Sequence, residues 1–299
     1  MSAPVPATQE AFQLAEGPFW DVARRRLVWV DIVAGSVLEG TLRDGQVEVT
    51  RRHGFEGTVG AVTVAGDGSI LVAAQEHLVV LDPDGNRHDG VRIVPAGQCR
   101  RLNDGSTDPA GRFLVGTLSM GDPSEREILV RLESDGHLTE LDNDLTLSNG
   151  LAWSTDGSKM FSVDTDRQTI YVRDYDAATG EVGERRPHLR LREGSPDGIA
   201  MDVEDHLWVA VWGEGEIRRF AHDGALVDRI TVPAPHTSCV AFAGEDLQTL
   251  IIATASAELS ADDLQTYPDS GRLFSVRVDV PGLPVPPWSG SSRPSLSTR

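Results

Sequence analysis

Four residues with side-chain oxygens recur at one register of this 299-residue sequence. Glu16 stands five residues before Asp21, Asn103 five before Asp108, Asn149 five before Ser154 and Asp197 five before Asp202, each followed by a polar turn and a short apolar run (LVWV, FLV, MFSV, LWVA). The same register falls on Gly60, so the anchors lie at 16, 60, 103, 149 and 197, spaced by 43 to 48 residues, with a looser copy near Ser238. Asn and Asp before Gly often only form turns with their own backbone, but equivalence of register favours convergence on a shared ligand. Two carboxylates crowded into a narrow space repel, and a proton or a cation must come between them. The neighbouring amides favour the cation. Glu16, Asn149 and Asp197, completed by water, make an oxygen-only shell suited to calcium, magnesium or manganese. The absence of thiolates argues against structural zinc, although an open catalytic zinc site is compatible. One divalent cation held this way polarises an ester or lactone carbonyl and lowers the pKa of bound water, which points to hydrolysis.

Competing chemistries find little support. No G-x-S-x-G elbow and no H-E-x-x-H pair occurs, so neither a serine nucleophile nor a zincin is indicated. Arg101, two residues before Asn103, has the planar fork that suits sugar hydroxyls or a developing carboxylate. Arg100 has the opposite phase in an extended segment and is expected to be solvated. His236 is read as a hydrogen-bonded loop residue, Cys99 as a small thiol near a loop, and Trp20, Trp153 and Trp208 as packing, with Trp212 at a strand end less clear-cut.

The elements that must position the anchors are short strands. Each repeat holds four β-rich runs separated by Gly, Asp and Asn turns, and helical periodicity is nowhere sustained. Self-similarity at this period with four strands per unit is the mark of a propeller blade. The expected architecture is therefore an all-β, six-bladed β-propeller forming one domain over residues 1–299. Its blades are expected near 14–52, 57–96, 101–145, 147–192, 195–233 and 236–282, before a Pro- and Ser-rich tail at 283–299 that is poorly ordered at its end. Residues near 7–14 are expected to add a strand to the last blade and lock the ring, and 258–270 to form a long surface loop. In a propeller, residues just ahead of each inner strand converge at one mouth of the channel, and Gly60, lacking a side chain, is expected to leave a gap there for substrate or water.

Composition sets limits. With 46 acidic against 27 basic residues the net charge is −19, which opposes nonspecific binding to nucleic acid or anionic lipid. No run of about 18 apolar residues exists to span a membrane. No secretory signal is visible at MSAPVPATQEAFQL, so cytoplasmic residence is the default expectation. The two cysteines, Cys99 and Cys239, make no disulfide framework.

Taken together, EGPFWD at Glu16, RLNDGSTDPAGRFLVGT at Arg101, LSNGLAWSTDGSKMFSVDT at Leu147, SPDGIAMDVEDHLWVAVWGEG at Ser195 and TSCVAFAGEDLQTLIIATA at Thr237 resemble the senescence marker protein, gluconolactonase and regucalcin-like family of lactonases. The resemblance implies a six-bladed propeller with one catalytic divalent metal held by Glu16, Asn149 and Asp197. It further implies Asp197 as general base, Arg101 and Asn103 as substrate-binding residues, and Asp104 as a further residue near the site. Two departures stand out. Glu127-Ile128-Leu129-Val130 replaces a Gly-Ser-Leu-Tyr type strand, so contacts from the 121–127 loop do not carry over, and Val240-Ala241-Phe242-Ala243 stands where a Gly-Gly pair is usual. The expected activity is metal-dependent opening of a sugar lactone, such as an aldonolactone, to the acid. A metal-dependent esterase or phosphotriesterase and a noncatalytic calcium-binding propeller are the alternatives, because fold alone does not choose among them.

Overall fold

Runs rich in Val, Ile, Leu and Trp favour strands, and a lone four-stranded sheet cannot cover both of its faces. In the computed structural model, which describes residues 3–290, these runs pair into six four-stranded antiparallel sheets. The first is built from Ala15–Asp21, Arg26–Asp31, Ser36–Arg43 and Gln46–Gly54, numbered outward from the channel. The inner strands of the next five blades are Val59–Val64, Arg100–Thr107, Ser148–Trp153, Ser195–Met201 and Thr237–Ala243. Each inner strand packs on those of both neighbouring blades, so the ring closes. The protein is a six-bladed β-propeller.

Its core is divided in six. One apolar cluster lies between each pair of adjacent blades, for example Leu71, Leu78, Leu102 and Phe113 between blades two and three, and Leu27, Trp29, Ala243 and Ile251 between blades one and six. Trp20, Trp153 and Trp208 are buried in such clusters, as packing residues should be.

Two parts of the chain depart from the sequence-based expectation. The strand that completes blade six is Val5–Pro6, paired with Phe274–Arg277, rather than residues 7–14. Those residues instead cross toward blade one, because Phe12 is drawn into the interface of blades one and six, edge-on to Trp29 with ring centroids 5.8 Å apart. The 258–270 segment contains a short α-helix, Ala261–Thr266, closed by a capping box in which Ser260 Oγ accepts from Asp263 N and Asp263 Oδ2 accepts from Ser260 N, both at 3.1 Å. Because it buries no residue, the helix leaves no apolar periodicity to read.

The start of the tail is packed. Leu283 N donates to Met201 O (2.9 Å), Thr107 Oγ1 to Pro286 O, Trp288 N to Val64 O (2.9 Å) and Ser289 N to Gly111 O (2.8 Å). Residues 283–289 therefore form a strap from blade five to blades two and three, at the end of the channel where the inner strands finish. The end of the tail lies outside the described residues. Among the described residues, no helix is long and apolar enough to cross a membrane. Trp288, 7% exposed in the cluster of blades two and three, anchors the strap. Trp288→Ala is expected to lower stability by about 3–5 kcal/mol, read as a shift in the denaturant midpoint. An unchanged midpoint would mean that the strap bears no load.

Candidate functional site

The anchor positions share a backbone device. In every inner strand the pairing with the second strand slips at the anchor: between Glu16 and Phe19, Val59 and Ala61, Leu102 and Gly105, Asn149 and Leu151, Pro196 and Ile199, and Thr237 and Cys239. A bulge bends the strand and re-aims the side chain beside it. Here the repeated bulge brings Glu16, Asn103, Asn149 and Asp197 together at one end of the channel, as the register argument requires. All four are buried. Gly60 does not open a gap there: a Cβ added to it would lie 2.6 Å from Leu102 O and against Asn103 O. The missing side chain admits the backbone of blade three, and neither substrate nor water fills that space.

Charge is concentrated at this point. Burial, reinforced by the nearby Asp104 carboxylate, pushes Glu16 up to about 8. Burial raises Asp104 to about 6. Asp197 is driven well above the ordinary carboxylate value by burial and by the charges of Glu16 and Asp104. Arg101 is the cation facing them; burial lowers it to about 10, while Glu16 and Asp197 oppose that fall. Gly17 N and Gly105 N donate to Glu16 Oε2 (2.9 Å) and Asp104 Oδ1 (2.7 Å). Asp197 Oδ1 is buried with no hydrogen-bond partner.

The amides are fixed by a chain of hydrogen bonds crossing three blades. Arg101 Nη1 donates to Asn103 Oδ1 (2.7 Å), and Asn103 Nδ2 donates to Ser148 O (2.9 Å) and to Asn149 Oδ1 (3.1 Å). Asn149 Nδ2 donates to Thr165 Oγ1 (2.9 Å), which donates to Pro196 O (2.8 Å), the residue before Asp197. Asn103 is thus occupied by its neighbours and buttresses both Arg101 and Asn149. Thr165 and Ser148 were not singled out from the sequence; the signal for Thr165 was its place at the end of the FSVDT motif, at the tip of the strand paired with the Asn149 strand. Buried Cys239 was missed as well, and it touches Glu16 from blade six.

These residues fit a hard divalent cation. The buried Glu16 and Asp197 carboxylates facing Arg101, with Asp197 Oδ1 unpartnered and the Asn149 amide beside them, make a donor set that such an ion would satisfy. Among the described residues no three His, Cys, Asp or Glu side chains form a ready-made metal cluster, so an oxygen shell here would need the Asn149 amide as well.

The surroundings correct one expectation and bear out others. Arg100 is not solvated: its Nε pairs with the fully buried Glu127 at 2.9 Å, fastening the 121–127 loop. His236 is held in a loop, with Nδ1 3.1 Å from Ala257 O, and stacks on Trp212 with centroids 4.1 Å apart. On the far side of Gly17, Asp104 and Cys239 the channel widens into a cavity of about 380 Å³, lined at its other end in part by residues 283–286 of the strap.

A six-bladed propeller with an acidic cluster facing Arg101 at a single end of its channel is the class of protein that the fold and site define. The particular family follows from comparison: residues 14–256 match the SMP-30/Gluconolactonase/LRE-like region, and the chain belongs to that family. It is 34% identical to a 6-deoxy-6-sulfogluconolactonase of Pseudomonas putida, over 93% of this chain and 95% of that one. It is 32% identical to a pentonolactonase of Haloferax volcanii, over 91% and 93%. Among solved structures, a calcium-binding regucalcin from Agrobacterium tumefaciens superimposes with a TM-score of 0.90 at 27% identity, covering 96% of this chain and 97% of that one.

The raised carboxyls make a prediction about the metal-free protein. Glu16 binds its proton more tightly folded, at about 8, than at its ordinary value of 4.5, so folding stability is lost as pH rises between those values. Asp104 adds a loss of the same sign between 3.8 and about 6. The melting temperature of chelator-treated protein is expected to fall from about pH 5 to about pH 8, and added calcium to flatten that fall. A rise over this range without metal would contradict the assigned shifts.

Proposed function

We propose that this chain is a metal-dependent hydrolase that opens a sugar lactone, an aldonolactone, to the aldonic acid. The observation that carries the reading is the convergence of Glu16, Asp104 and Asp197 beside the Asn149 amide, with Asp197 Oδ1 left unpartnered. In this reading Glu16, Asn149 and Asp197 hold one divalent cation, and their oxygen-only chemistry suits calcium, magnesium or manganese better than zinc. The lactonase relatives, named for a sulfogluconolactone and a pentonolactone, support the substrate class.

A bound divalent cation supplies Lewis acidity at the lactone carbonyl and acidifies water. Asp197 then takes a proton from the attacking water at Oδ1 and returns one to the ring oxygen as the acyl–oxygen bond breaks. One water is consumed, and one carboxyl and one hydroxyl appear. Arg101, drawn toward Glu16 and Asp197 by charge, binds the sugar hydroxyls or the carboxylate that develops. Asn103 keeps the guanidinium in place through its 2.7 Å bond and offers its remaining lone pair to substrate. Asp104 sets the local charge that Glu16 and Asp197 experience.

The calcium-binding regucalcin relative favours a second reading, a cation site without turnover. A panel of five- and six-membered sugar lactones, assayed with and without chelator, separates the two. Opening of at least one lactone, abolished by chelator and restored by calcium or manganese, is expected; calcium uptake with no turnover across the panel would leave the second reading standing. Asp197→Asn is expected to reduce kcat at least about a hundredfold. Arg101→Ala is expected to reduce kcat/KM about ten- to a hundredfold, the worth of a charged hydrogen bond.

A further inference from the structure

We propose that Thr165 is a positioning residue that turns the oxygen end of the Asn149 amide toward the channel and ties that ligand to the strand carrying Asp197. The inference rests on the cation site just described and deepens it. The two ends of an asparagine amide have nearly the same shape, yet only Oδ1 can ligate a cation, so something must decide which end faces the ion.

The hydrogen-bond chain decides it, because both of its termini have fixed polarity. Pro196 O can only accept, and it lies 2.8 Å from Thr165 Oγ1. A threonine hydroxyl has one proton to give. With that proton committed to Pro196, Thr165 offers Asn149 only a lone pair, and the group 2.9 Å away must be the Nδ2 amide. At the other end Arg101 can only donate, which fixes Asn103 Oδ1 at 2.7 Å and turns Asn103 Nδ2 toward Ser148 O and Asn149 Oδ1. Asn149 Oδ1 keeps one lone pair for the channel. Thr165 follows directly after the strand Lys159–Asp164, and its backbone N donates to Leu147 O at 3.1 Å, so the hydroxyl sits on a strand end fixed to the loop that leads into Ser148 and Asn149. The same hydroxyl holds the carbonyl preceding Asp197, which couples the ligand of blade four to the ligand of blade five.

The test is calorimetric titration of chelator-stripped protein with calcium, comparing the unmodified chain with Thr165→Val and Thr165→Ser. Thr165→Val keeps the shape but removes the hydroxyl, and it is expected to weaken calcium binding about ten- to a hundredfold, as loss of a partner behind a metal ligand does. Thr165→Ser restores the hydroxyl and is expected to bind calcium nearly as the unmodified chain does. Melting temperatures of the metal-free variants are measured alongside, since a merely structural role would lower stability and leave the affinity of the folded fraction unchanged. Equal affinity in Thr165→Val, or an equal loss in well-folded Thr165→Ser, overturns the proposal. Should Thr165→Val fail to fold, Thr165→Ala takes its place with the same expected loss. If the unmodified protein binds neither calcium nor manganese, the cation reading falls, and the role of Thr165 falls with it; unmodified binding with an undiminished valine variant removes Thr165 alone.

Discussion

The crowding of six inner strands around one axis governs the rest of this structure. At Gly60 a single added carbon would sit 2.6 Å from Leu102 O, and at Gly150 it would sit 2.6 Å from Asp197 O. The backbones are therefore in contact from blade to blade, and the bulge beside each anchor is what lets a strand pass so close to its neighbour and still turn a side chain inward. Glycine at these positions answers a packing demand, and the functional side chains stand next to it for that reason. Asn149 precedes Gly150 and Asp197 precedes Gly198, both crowded by the next blade, whereas Gly17 after Glu16 has room for a Cβ and is required by its φ of +51°.

Convergence on one axis has an electrostatic consequence. Carboxylates from blades one, three and five meet where water is largely excluded; Asp104 raises the proton affinity of Glu16, and both raise that of Asp197. Neutral amides at Asn103 and Asn149 spare the site two further charges that a single arginine could not offset. Their polarity is set by a chain running from an obligate donor, Arg101, to obligate acceptors, Ser148 O and Pro196 O. Such networks stabilise only when every member is satisfied, which makes Asp197 Oδ1, buried beside this chain without a hydrogen-bond partner, conspicuous.

The sequence made the ring and its mouth legible because both are repeated. A register carrying Glu16, Asn103, Asn149 and Asp197 at 43 to 48-residue spacing records strand order and convergence together, and the six sheets follow it. What occurs once in the chain was harder to read. The Ala261–Thr266 helix buries nothing and so leaves no periodicity; only its S-x-x-D capping pattern was available. The strap is Pro-rich, a composition that suggests disorder, yet a single tryptophan, Trp288, supplies enough apolar surface to pin it. Thr165 was hidden for another reason. Its role depends on which strand of the next blade passes 2.8 Å away, and no local pattern encodes a contact across 31 residues. Arg100 was misread because alternation gives the direction of a side chain but not its partner, here the buried Glu127.

The bulge also divides the channel in two. Ahead of it or within it stand the polar residues Glu16, Asn103, Asp104, Asn149 and Asp197; beyond it the same strands turn Phe19, Val62, Leu151, Ile199 and Val240 toward the cavity. The acidic cluster is thus backed by a largely apolar chamber that residues 283–286 of the strap help to line. Surroundings of low dielectric disfavour the charged form of a carboxyl, in keeping with burial as the main cause of the raised Glu16, Asp104 and Asp197 carboxyls. Residues 283–286 of the strap line the far part of this chamber, so the segment that Trp288 pins on blades two and three also shapes the apolar side of the site.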